Sequence, residues 1–115
     1  MTATIDAGLR WEPACTVDRL MPERGVAVLL GEQQVAVFLT HDGAVHAIGN
    51  IDPFSGAAVL SRGLVGDRAG VATVASPVYK QVFDLQTGRC LDEPTVSVPV
   101  YAVRARGGTI QIGLP

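Results

Sequence analysis

An antiparallel all-β fold is predicted by this sequence, and three observations carry the prediction. Apolar residues recur with a period of two in Val26, Val28 and Leu30, in Val35, Val37 and Leu39, and in Val96, Val98, Val100 and Ala102. β-branched residues dominate these segments, as a pleated and half-buried surface prefers. Turn signals then fall at close intervals: Pro22 and Gly25, Gly31 to Gln34, His41-Asp42-Gly43, Thr87-Gly88 and Gly107-Gly108. Such spacing suits hairpins and leaves little room for helices.

In chain order the pattern predicts strands over residues 10–15, 26–30, 34–40, 44–48, 72–75, 82–85, 97–104 and 109–113. Between residues 50 and 70 the alternation breaks into a stretch carrying Pro53, Gly56, Gly63, Gly66 and Gly70, read as a long structureless connection. Connections of that kind are usually functional. Residues 1–9 are read as an N-terminal tail and residues 10–115 as a single domain, since 115 residues suffice for one core.

Composition narrows the function classes. Hydrophobic residues make up 48% and charged residues 17%, opposite to the signature of disorder. A net charge of −2 provides no cationic face for phosphates, so nucleic acid is not an expected partner. The longest apolar runs, residues 26–30 and 35–39, fall far short of the ~18–20 residues of a membrane-spanning helix, so no membrane is expected either. The first residues carry neither a basic leader nor an apolar stretch, which makes the cytoplasm the expected compartment. There the two cysteines, Cys15 and Cys90, are expected as thiols serving as small apolar side chains.

Most familiar chemistries lack their residues. His41 and His46 flank a predicted hairpin turn as exposed side chains, neither is near a cysteine, and no Cys-x-x-Cys unit exists, so no metal centre is expected. Ser55, Ser61, Ser76 and Ser97 lie in no Gly-x-Ser-x-Gly elbow, and Gly63, Gly66 and Gly70 lack both the dinucleotide spacing and a Gly-Lys-Ser/Thr ending. No catalytic or cofactor-binding residue is therefore assigned. What remains are two unusual loops. One carries Arg62, Asp67 and Arg68; the other places Tyr79 and Lys80 after Ser76-Pro77-Val78. Recognition tends to sit on such loops, and interfaces favour Arg and Tyr.

Two segments, Asn50-Ile51-Asp52-Pro53-Phe54-Ser55-Gly56 and Ser76-Pro77-Val78-Tyr79-Lys80-Gln81-Val82-Phe83-Asp84-Leu85-Gln86-Thr87-Gly88, resemble the cluster-binding loops of Rieske iron–sulfur domains. In that family the first loop reads Cys-Pro-His followed by Gly, and the second reads Cys-Pro-x-His before a Phe-Asp strand and a Thr-Gly turn. Pro53, Gly56, Pro77, Phe83, Asp84, Thr87 and Gly88 keep this framework, while the ligand positions hold Asp52, Phe54, Ser76 and Tyr79. A Rieske cluster needs two thiolates and two imidazoles, and none is present. The resemblance thus implies a Rieske-like antiparallel β-sandwich, with a smaller sub-sheet carrying the two loops, that has kept the fold and lost the cluster. It also marks residues 61–71 as longer than usual for a Rieske ferredoxin. Phe54 and Tyr79 are expected side by side at the loop tips, filling the space of the cluster.

The strings Asp52-Pro53-Phe54-Ser55-Gly56 and Ser76-Pro77-x-Tyr79-Lys80-Gln81, with Leu60-Ser61-Arg62-Gly63 between them, resemble more closely the small-subunit family of NAD(P)H-dependent assimilatory nitrite reductases. That resemblance implies an accessory, non-catalytic chain in a cytoplasmic complex that reduces nitrite to ammonium. FAD, siroheme and an iron–sulfur centre would belong to a large catalytic subunit, the expected partner, and this chain would hold no cofactor. Arg62, Arg68, Tyr79 and Lys80 are the candidate contacts with that subunit. The alternative is a free-standing Rieske-like interaction or regulatory module without a cluster.

Overall fold

A computed structural model describes residues 8–115, so most of the expected N-terminal tail lies outside the described residues. Among the described residues, nine strands form two antiparallel sheets. The larger has the order β1-β9-β8-β4-β3-β2 and the smaller the order β5-β6-β7. The strands are β1 (Arg10–Thr16), β2 (Arg24–Leu30), β3 (Gln33–Leu39), β4 (Val45–Gly49), β5 (Leu64–Arg68), β6 (Val71–Ala75), β7 (Val82–Asp84), β8 (Val100–Arg106) and β9 (Thr109–Leu114). The larger sheet curls, since its terminal strands β1 and β2 also approach each other. Pro13 is tolerated because β1 is an edge strand, and the register shifts by a bulge between Pro13 and Cys15.

Strand β3 explains how two cores coexist. Val35, Ala36, Val37 and Phe38 are all buried, and side chains alternate across a strand, so successive residues enter opposite cores. Val35 and Val37 join Leu20, Ala47, Ile110, Ile112 and Leu114 inside the curled sheet. Ala36 and Phe38 face the other way, joining Ile48, Leu60, Val65, Val74, Phe83 and Leu85 between the two sheets. This second core carries the loops. The continuous apolar run of β3 marks a strand covered on both faces rather than a half-buried one.

Two expectations are corrected here. The stretch 50–70 is not structureless: it contains a 3-10 turn at Leu60–Arg62 and the whole of β5. Strand β5 pairs with β6 through a two-residue turn at Ala69 and Gly70, whose φ values of 54° and 85° fit the right-handed twist of a hairpin. The strand expected over 97–104 begins later, at Val100. Pro99 interrupts it, and the preceding segment instead bonds to residues 88–90: Val98 N–H donates to Gly88 O, and Cys90 N–H donates to Val96 O.

Candidate functional site: two paired loops

The smaller sheet and the end of β4 deliver two loops, loop 1 at residues 52–57 and loop 2 at residues 76–81, and both follow one backbone plan. In loop 1, Asp52 N–H donates to Ala57 O (2.9 Å) and Gly56 N–H donates to Asp52 O (2.7 Å). In loop 2, Ser76 N–H donates to Gln81 O (2.9 Å) and Lys80 N–H donates to Ser76 O (3.0 Å). Each loop has proline second, where its fixed φ suits a turn and its missing N–H leaves no orphan. Each first residue also caps its own turn. Phe54 N–H donates to Asp52 Oδ1 (2.9 Å), and Val78 N–H donates to Ser76 Oγ (3.2 Å). The fifth position is left-handed in both, with φ 76° at Gly56 and 66° at Lys80.

The loops meet at their first residues. Ser76 Oγ donates to Asp52 Oδ2 at 2.5 Å, and the two side chains are 1% and 0% exposed. Asn50 anchors the base: its Oδ1 accepts from Ser61 N–H (2.7 Å) and its backbone O accepts from Leu60 N–H (3.0 Å). Next to these, Gly63 passes so near β6 that a Cβ there would lie 2.4 Å from Ala75 O, which only glycine permits. The segment 60–64 therefore bridges the bases of both loops, and Leu64, paired with Ala75, stands 79% exposed beside loop 2.

The aromatic expectation is corrected. Phe54 packs against Phe83, with ring centroids 6.3 Å apart and planes tilted by 50°, and among the described residues no aromatic pair joins it to Tyr79. The apolar ring of Phe54 gains more by entering the core between the sheets, whereas Tyr79 stays 59% exposed. Arg62, Arg68 and Lys80 are exposed. Arg68 is drawn into an ion pair with Asp92 (3.5 Å), and Lys80 contributes its backbone to loop 2. Arg62 lines a surface groove with Glu23, Arg24, Gly25, Ser61, Gly63 and Leu64.

The donor set does not fit a [2Fe–2S] cluster. Phe54 offers no lone pair, Tyr79 faces outward, and the oxygens of Asp52 and Ser76 are taken up by each other and by the Phe54 and Val78 amides. The Ser76 hydroxyl is buried, and no His, Lys or Arg forms an ion pair with Asp52 among the described residues. Of the histidines, His41 is exposed as expected, but His46 is half-buried on β4, where burial pushes its pKa below the ordinary value against the opposing pull of Asp42 and Asp84. Sequence reasoning missed Asn50, Leu64 and the pairing of Asp52 with Ser76. The signal for the last was two oxygen-bearing side chains at the first positions of like-patterned loops.

A family model described as Rieske-like [2Fe-2S] domain matches residues 10–113. The chain is 44% identical over 104 residues to the nitrite reductase (NADH) small subunit of Escherichia coli, covering 90% of this chain and 96% of that one. It superposes with a TM-score of 0.89 and 57% identity on a Mycobacterium tuberculosis chain assigned as an NADH-dependent nitrite reductase small subunit, covering 93% and 96% of the two chains. It is also 39% identical over 103 residues to part of the nitrite reductase [NAD(P)H] large subunit of Klebsiella oxytoca, covering 90% of this chain but 11% of that one. The chain belongs to the Rieske-like [2Fe-2S] domain family, in its group of nitrite reductase small subunits.

Proposed function

We propose that the chain is an accessory, non-catalytic subunit of an assimilatory NAD(P)H-dependent nitrite reductase in the cytoplasm, holding no cofactor of its own. FAD, siroheme and an iron–sulfur centre reside in its large partner, which supplies the redox chemistry. The observation that carries this reading is the Klebsiella oxytoca protein, in which a domain like this chain forms part of the large subunit itself. A module that is one polypeptide with its partner in one organism works against that partner when it is a separate chain.

The docking face in this reading is the loop end. Leu64, Val78 and Tyr79 are exposed apolar or aromatic side chains there, in a region where apolar surface on a soluble domain usually marks a contact. Arg62 and Arg24 provide charged donors in the adjoining groove, with Lys80 and the ion-paired Arg68 at the rim. Co-purification of the tagged chain with its large subunit, and nitrite reduction assayed with and without it, tests the reading. The expected result is a stable complex whose activity exceeds that of the large subunit alone. No association, and activity unchanged by the chain, would favour a free-standing module.

A further inference from the structure

The mismatch between the ligand positions and a cluster has a constructive side, because the residues at two of those positions join the loops directly. We propose that Asp52 and Ser76 are positioning residues for docking: their hydrogen bond fastens loop 1 to loop 2, so that the loop end meets the large subunit as one preformed surface. The proposal rests on the docking face described above. Its basis is a continuous chain of donors and acceptors. Val78 N–H donates to Ser76 Oγ, the Ser76 hydroxyl donates to Asp52 Oδ2, and Asp52 Oδ1 accepts from Phe54 N–H. The chain thus runs from the turn of one loop to the turn of the other, joining residues 24 positions apart in sequence. Among the described residues it holds the only side-chain hydrogen bond linking the two loops. A carboxyl group buried without a cation is costly unless hydrogen-bonded, and here both oxygens are occupied. Loops already fixed when a partner arrives lose less conformational entropy on binding, which is where such a fastening acts.

The test uses the full chain with Ser76→Ala, Asp52→Asn, Asp52→Ala and the double variant Asp52→Ala/Ser76→Ala. Binding to the purified large subunit is measured by titration calorimetry at a temperature where each variant is folded. Amide exchange of Phe54 and Val78 is followed against that of Val37 and Ile112 in the larger sheet. The expected result is a Kd raised about tenfold or more in Ser76→Ala and in Asp52→Ala, with the double variant no worse than either single one. Asp52→Asn, which keeps an acceptor oxygen, recovers part of the loss. The loop amides exchange faster in the weakened variants, and the sheet amides keep their rates. If Asp52→Ala does not fold, Ser76→Ala and Asp52→Asn carry the test. Loosened loop amides with wild-type affinity would overturn the proposal, as would losses that simply add. The variant Arg62→Ala/Tyr79→Ala separates the two readings. Wild-type binding by it sinks the docking face itself; lost binding by it beside wild-type binding by Ser76→Ala sinks the fastening alone.

Discussion

Loops 1 and 2 share a backbone and differ in what their side chains do with it. Both close with the same pair of backbone hydrogen bonds, both turn on a proline, and both place the fifth residue at positive φ. Loop 1 sends its aromatic residue, Phe54, against Phe83 in the core and uses glycine at the left-handed position. Loop 2 leaves Tyr79 in solvent and puts Lys80 at the left-handed position, where a side chain is strained. One loop is thus anchored by packing, and the other is held chiefly by hydrogen bonds, including the one from Ser76 to Asp52 of loop 1. The contrast shows two ways of holding one loop plan: buried polar contacts join the loops at their first residues, and one aromatic side chain anchors loop 1 in the core.

Removing the shared contact should do the most damage. Asp52→Ala leaves the Ser76 hydroxyl and the Phe54 N–H without acceptors in a buried setting, and should destabilise the chain by about 3 kcal/mol in urea unfolding. A loss under ~1 kcal/mol would show that the loops do not depend on each other. Next comes the aromatic contrast. Phe54→Ala should cost about 2 kcal/mol, because the side chain is partly buried, whereas Tyr79→Ala should stay within ~0.5 kcal/mol and act on binding instead. Equal losses would erase the distinction between an anchored and a free loop. The left-handed positions provide a reciprocal pair. Gly56→Ala meets no atom within 4 Å yet should cost ~1 kcal/mol through backbone strain alone, while Lys80→Gly should raise stability by up to ~0.5 kcal/mol.

The smallest effect supplies a control outside both loops. Burial holds the pKa of His46 below its ordinary 6.5, so the unfolded chain binds a proton there more readily than the folded one. Stability contributed by the neutral ring is then complete above about pH 6.5 and declines as pH falls through that value towards the lowered folded pKa. His46→Gln should flatten the urea midpoint between pH 7 and pH 5, and Ser76→Ala should leave that slope as in the wild type. A slope altered by Ser76→Ala would mean that the loops and the larger sheet are not independent.

Most strands were legible: the expected spans for β1 to β4, β6, β7 and β9 lie within two residues of those observed, with alternating apolar residues marking β2 and a β-branched apolar run marking β3. Strand β5 was not, since only Val65 of its five residues is buried and Gly66, Asp67 and Arg68 resemble a loop. Its hairpin is imposed by β6 and by the turn at Ala69 and Gly70 rather than by its own composition. The loop frames were legible from Pro53, Gly56 and Pro77. The pairing of Asp52 with Ser76 was not, because Asp and Ser are ordinarily surface residues and only the fold brings them together. Phe54 was misassigned for a related reason: its choice between Tyr79 and Phe83 depends on which ring the core already holds.

Amide hydrogen exchange on the chain, free and bound to its large subunit, tests most directly the claim that the paired-loop end is what the partner grips. The account predicts new protection in loop 1, in loop 2 and in the segment 60–64, with the turn at Gly107 and Gly108 unchanged. Protection confined to that turn and to β1, with both loops exchanging as in the free chain, would contradict it.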